Sequence, residues 1–225
     1  MISNPIYSNL IERGASWEEA DFVVVWYHGF GADARDCAPI ADVLMEMGVP
    51  NRVRYLFPEA SSRPCYVEEM PGNYLSWYDY KRWFPTVKVK PTVDVAIDEA
   101  LMFLVSLSQA HHISLSRMVV GGFSQGGALA LDLAFKSALA LGGVAAMSCD
   151  FPLCYAECAH QRQQHIFIGH GTYDTMVPYP WKQDGVKALR AANQDITEHD
   201  YEGLGHGIGR EELEDFKNWL VPLVI

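Results

Sequence analysis

The sequence has little positive charge: 17 lysines and arginines stand against 28 aspartates and glutamates, a formal net charge of −11. Such an acidic chain is not expected to bind a nucleic-acid backbone or to dock on anionic lipid. Long hydrophobic runs are also missing. The apolar stretches are strand-sized, apart from a helix-like one near 96–107, so no transmembrane segment is expected. No basic start followed by an apolar core and a small-residue cleavage site opens the chain, so no signal peptide is expected either. The five cysteines are odd in number and irregularly spaced, which favours reduced thiols and a cytoplasmic setting. Cys149, Cys154 and Cys158 cluster near His160, but their spacing matches no paired C-x-x-C arrangement, so neither a metal nor a cofactor is expected. No repeat, low-complexity tract or linker divides the 225 residues, and a single domain over 1–225 is the expectation.

What is present is alternation. Apolar β-branched runs recur at 22–28, 53–57, 118–120, 143–148, 165–169 and 196–201. Between them lie stretches of helical pattern at 36–47, 92–108, from Ala128 onward, at 180–192 and from Arg210 onward. This order predicts an α/β protein with a mostly parallel central sheet covered by helices on both faces. Thr92, behind Pro91, reads as the N-cap of its helix. The segment from Pro58 to Pro91 reads as a long irregular loop, of the kind that usually serves function in a compact domain.

Between the strand Met118-Val-Val120 and the helix from Ala128 lies Gly122-Phe-Ser-Gln-Gly126. G-x-S-x-G in that setting describes a sharp strand-to-helix turn with a strained serine at its tip. The turn lifts the Ser124 hydroxyl above the sheet and aims the Gln125 amide to where an oxyanion would form. The five residues alone are a weak signal, and the flanking strand and helix strengthen it. A serine hydrolase also needs a base and an orienting acid at the same rim, beyond the strand C-terminal ends. Reading off those ends gives His28-Gly-Phe-Gly31, Ser148-Cys-Asp150, His170-Gly-Thr-Tyr-Asp174 and Gly203-Leu-Gly-His206.

His206, flanked by glycines, can take the Ser124 proton and return it to the leaving group. Asp174 would hold the other ring nitrogen, with Asp150 as the rival acid. The amides of Phe30 and Gln125 would form the oxyanion hole. His28 and His170 precede glycine turns, where a structural hydrogen bond is the expected role. Asp33 and Asp36 read as loop and helix-cap residues.

Together, His28-Gly-Phe-Gly-Ala-Asp33, Ser76-Trp-Tyr-Asp79, Gly122-Phe-Ser-Gln-Gly-Gly127, His170-Gly-Thr-Tyr-Asp-Thr-Met-Val-Pro178 and Gly205-His206 resemble the carboxylesterase/acyl-protein thioesterase family. The likeness runs from about residue 20 to the C-terminus. It implies a small α/β-hydrolase without a separate cap domain, with nucleophile Ser124, acid Asp174, base His206 and oxyanion amides at Phe30 and Gln125. Members of that family hydrolyse carboxylic esters, and some remove fatty acyl groups from protein cysteines or lysophospholipids. This chain has Tyr74-Leu-Ser-Trp77 where Met-Pro-Ser-Trp is frequent, Leu204-Gly-His206 where Met-Gly-His is frequent, and Ser148-Cys149 where Ser-Gly is common. These departures spare the triad and bear on the acyl pocket.

The expectation is therefore a serine esterase acting on a small-molecule ester or acylated substrate, with thioesterase or lysophospholipase action as the alternative; a homodimer is left open. A catalytically silent binding protein is the rival of another class, and its expected mark, a lost triad residue, is absent. The loop after Pro58 carries Tyr66, Tyr74, Trp77, Tyr78, Tyr80, Trp83 and Phe84. It is expected to line or cover an acyl groove, with Trp77, Trp83 and Phe84 as substrate contacts. Trp77 and Tyr78 serve equally well as anchors of the loop.

Overall fold

A seven-stranded sheet forms the centre of the molecule, its strands hydrogen-bonded in the order 10–14, 53–58, 22–27, 118–123, 143–147, 165–171 and 195–201. The computed structural model describes residues 6–7, 9–68, 70–83, 86–137, 139–151 and 163–225. The strands of the sheet are β1 (Leu10–Gly14), β2 (Phe22–Tyr27), β3 (Val53–Pro58), β8 (Met118–Phe123), β9 (Gly143–Met147), β10 (His165–Gly171) and β11 (Asp195–Tyr201). All neighbouring pairs are parallel except β1 with β3. The parallel strands therefore end at one edge, and every candidate loop leaves from it.

The helices are α1 (Ala34–Cys37), α2 (Pro39–Glu46), α3 (Lys90–His111), α4 (Gln125–Lys136), α5 (Tyr179–Ala191) and α6 (Arg210–Val224). Strand β2 shows why both faces are covered. Val23, Val25 and Tyr27 point into one core with α3, α4 and α5, while Phe22, Val24 and Trp26 point into the other with α1, α2 and α6. A strand buried on both sides reads as a continuous apolar run, which is how it appears in the sequence. Among the described residues, no helix is long and apolar enough to cross a membrane.

The structure differs from the sequence reading at several points. The helix expected over 36–47 is two helices, because Pro39 has no N–H to continue α1 and instead occupies the first turn of α2. Asp33 caps α1, its carboxylate accepting from the Arg35 and Asp36 amides. Helix α3 begins at Lys90, since Pro91 is tolerated in a first turn, so Thr92 is not the N-cap. The Thr92 hydroxyl instead donates to Val89 O at 2.8 Å and accepts from the Asp79 amide at 2.9 Å.

The loop after Pro58 is more regular than expected. It contains two small hairpins, β4 (Ser62–Cys65) with β5 (Gly72–Leu75), and β6 (Tyr80–Arg82) with β7 (Val87–Lys88). Lys88 fastens the second hairpin beneath the elbow helix, its Nζ 3.5 Å from Asp132 and 3.6 Å from Asp150. Burial alone would push the Lys88 ammonium down, but Asp150 and Asp132 hold it above the usual lysine range.

Candidate active site

At the end of β8 the chain turns into α4 through Ser124, whose backbone sits at φ 53° and ψ −118°. A non-glycine residue there is strained and persists only because its surroundings fix it. A side chain on Gly122 would strike the Gly126 carbonyl and Tyr27 O, and one on Gly126 would strike the Tyr27 carbonyl. The two glycines of the motif are thus required by space. The Ser124 amide donates to Met147 O at 2.9 Å, tying the elbow to the neighbouring strand.

His206 Nε2 lies 3.1 Å from Ser124 Oγ, and His206 Nδ1 lies 2.8 Å from Asp174 Oδ2. Asp174 Oδ1 accepts from the Met176 and Val177 amides, both at 2.8 Å. Burial would push the Asp174 carboxyl up, but the hydrogen bond from His206 and those backbone amides outweigh it and hold the group below its ordinary range. The loops that carry Asp174 and His206 are laced together: Tyr173 N donates to Leu204 O at 3.0 Å, and Gly203 N to Thr172 Oγ1 at 3.0 Å. Asp150, the rival acid, faces Lys88 instead of the imidazole.

His28 and His170 sit beneath the site, both fully buried. His28 Nδ1–H donates to Gly29 O at 2.7 Å, while its Nε2 accepts from the Ala60 amide at 3.0 Å. Burial holds this imidazole below its ordinary pKa, so it is neutral, and its two neighbours fix the tautomer. Ala32 N also donates to Gly29 O, at 3.2 Å. With that carbonyl held from one side, the trans peptide turns the Phe30 N–H the opposite way. A Cβ on Gly29 would lie 3.4 Å from Ser124 Cβ, so this loop passes directly beside the serine. His170 is likewise held neutral by burial, its Nε2–H donating to Val177 O at 2.9 Å.

The aromatic residues divide in two. Trp77 and Tyr78 are buried in the core, and the Trp77 indole Nε1–H donates to His28 O at 2.8 Å. Trp77 is therefore an anchor of the loop, and its expected contact with substrate is corrected. Trp83 is half-buried, packed on Phe30 with centroids 5.2 Å apart and on Tyr80 at 5.0 Å. Phe84, Cys154 and Cys158 lie outside the described residues. Among the described residues, no three His, Cys, Asp or Glu side chains converge as metal ligands. The residue that sequence reasoning missed is the Gln125 side chain. It is buried and hydrogen-bonded to Ser76, Trp77 and Tyr78. The motif Ser76-Trp-Tyr-Asp79 was the available signal, but nothing in the sequence joins it to a residue nearly fifty positions away.

Below the loop that carries His206, Glu212 is completely buried. Its Oε2 accepts from the Gly209 amide at 3.3 Å, and its Oε1 has no partner among the described residues. Burial, reinforced by Asp215 and opposed by the Gly209 bond, pushes its carboxyl up to about 8. The folded protein therefore holds a proton that the unfolded chain has released across the window from the ordinary glutamate range to about pH 8. Stability contributed by this group falls as pH rises through that window. Glu212→Gln mimics the protonated acid, so it should change thermal stability little near pH 5 and raise it by about 1–3 kcal/mol at pH 9. Melting curves at the two pH values check this. An equal shift at both would mean that Glu212 does not titrate there.

Comparison with known proteins adds to this geometry. The sequence pattern of the family described as phospholipase/carboxylesterase matches residues 11–223. Acyl-protein thioesterase 1 of Yarrowia lipolytica is 29% identical over 210 residues, covering 88% of this chain and 89% of its own. Lysophospholipase-like protein 1 of Mus musculus is 27% identical over 207 residues, covering 88% and 85%. The crystal structure of Arabidopsis thaliana SOBER1 superimposes with a TM-score of 0.79 at 24% identity, over 91% of this chain and 99% of that one. That last likeness speaks for the fold alone.

Proposed function

The chain belongs to the phospholipase/carboxylesterase family, and from that premise we propose that it is a serine carboxylic-ester hydrolase acting on small or medium acyl esters through an acyl-enzyme on Ser124. The observation that carries the reading is the line Asp174–His206–Ser124, hydrogen-bonded at 2.8 and 3.1 Å and set on a strained strand-to-helix turn. In this reading Ser124 Oγ adds to the ester carbonyl carbon while its proton passes to His206 Nε2. The negative oxygen is met by the Phe30 and Gln125 amides, neither of which donates to another described residue. Collapse breaks the ester bond, and the leaving alcohol takes the proton from His206. Water then repeats the sequence on the acyl-enzyme, releasing the acid and restoring Ser124. None of these steps calls on a metal or cofactor. A cytoplasmic setting is part of the proposal, since the free thiols of Cys37, Cys65 and Cys149 suit a reducing compartment.

A second reading is removal of fatty acyl groups from protein cysteines or lysophospholipids. The names of the relatives favour it, as does the half-buried aromatic patch of Phe30, Tyr74 and Trp83 beside the oxyanion loop. A rate panel separates the two. With p-nitrophenyl esters, kcat/KM should climb several-fold from acetyl to roughly octanoyl, each methylene contributing up to about 0.8 kcal/mol. Trp83→Ala should remove much of that climb while sparing the acetyl ester. Equal losses on both esters would make Trp83 a support of the fold. A long-chain acyl thioester or lysophospholipid that outruns every p-nitrophenyl ester would favour the second reading.

A further inference from the structure

We infer that the Gln125 side chain is a positioning residue that sets the spacing of the two oxyanion amides through a brace formed by Leu75–Tyr78. The inference rests on the serine-hydrolase reading and deepens it. The two amides come from different parts of the chain, Gln125 at the start of α4 and Phe30 in the loop after β2, and the pairing of β2 with β8 ends at Tyr27 and Gly122, short of both. The segment 75–78 runs between them and bonds to both sides.

On the α4 side, the Gln125 carboxamide is saturated. Its Oε1 accepts from the Trp77 amide at 3.0 Å, and its Nε2 donates to Tyr78 O at 2.9 Å and to Ser76 Oγ at 3.0 Å. Ser76 spends its own proton on Tyr78 O at 2.7 Å. The orientation of the amide is fixed by chemistry, because a flipped group would oppose its NH₂ to the Trp77 N–H. On the other side, Leu75 O accepts from the Gly31 amide at 2.9 Å, and the Trp77 indole donates to His28 O at 2.8 Å. These two bonds flank the Gly29–Phe30 peptide that carries the second oxyanion donor. A buried carboxamide with every hydrogen used and an indole aimed at a backbone carbonyl leave the brace one arrangement. Oxyanion donors act only when held where the charge develops, so loosening the brace should lower transition-state binding and leave ground-state binding alone.

The test is Gln125→Met, which keeps the volume and removes all three carboxamide bonds. Active sites are titrated with a fluorophosphonate, so that kcat is expressed per competent site and any misfolded fraction drops out. Per titrated site, kcat should fall by about 10- to 100-fold, below the loss for deleting a donor outright, with KM within about threefold. The affinity for an alkyl trifluoromethyl ketone, whose hemiketal oxygen occupies the oxyanion position, should fall by the same factor as kcat. Trp77→Phe removes the bond to His28 O together with part of the ring's packing on Tyr7 and Tyr27, keeps the Trp77 amide bond to Gln125, and provides a second variant should Gln125→Met not fold. It should lie on the same line, with a smaller loss in both quantities. A Gln125→Met enzyme with kcat per site within twofold of wild type overturns the brace, and so does a lowered kcat with unchanged ketone affinity. A wild type that neither hydrolyses esters nor forms the hemiketal overturns the serine-hydrolase reading itself, and the brace as a catalytic device with it.

Discussion

Replacing Ser124 with alanine is expected to lower kcat by roughly a millionfold, with KM changed little. The size follows from the three side chains acting as a unit. Without the hydroxyl, His206 Nε2 has no proton to take, and Asp174 orients an imidazole that serves nothing. The substitution is clean, because alanine keeps a Cβ at the same positive φ and removes one oxygen whose partner among the described residues is His206. Melting temperature should therefore stay near that of the wild type, and hydrolysis of a p-nitrophenyl ester measures the loss directly. Residual activity above about one-thousandth of wild type would mean that another group performs the attack.

Asp174→Asn is expected to cost on the order of 10⁴ in kcat. The Asn carbonyl would keep the place of Oδ1, where the Met176 and Val177 amides donate. Its NH₂ would then face His206 Nδ1. That nitrogen must become an acceptor, which moves the ring proton to Nε2, where it blocks uptake of the serine proton. Asp150→Asn should cost far less, because Asp150 faces Lys88. Its loss leaves a buried ammonium with one carboxylate fewer, an effect on stability more than on turnover. Paired kcat and melting measurements separate the two. The reverse ranking in kcat would assign the orienting acid to Asp150.

The parts legible in the sequence were those with a local signature. Strand β2 announced itself as a continuous apolar run because it is buried on both faces, and the elbow through its two glycines, where any Cβ collides with backbone. That His206 and Asp174 would meet Ser124 was legible because parallel strands deliver their ends to one rim. The parts that were not legible depend on contacts distant in the chain. Strand β1 reads LIERG, with no alternation to mark it, and exists by antiparallel pairing with β3. Trp77 looked like a groove residue because composition cannot tell a ring that faces ligand from one that faces a core. Only the indole bond to His28 O decides it. The brace through Gln125 links positions 28, 76 and 125, a relation that no periodicity encodes.

The central claim, nucleophilic attack by Ser124 with His206 as its base, is tested most directly by stoichiometric labelling with a fluorophosphonate followed by peptide mapping. One phosphonyl group per chain on Ser124, with activity lost in proportion to labelling, is the predicted result. Labelling that tracks inactivation at another residue, or full activity with Ser124 modified, would contradict it.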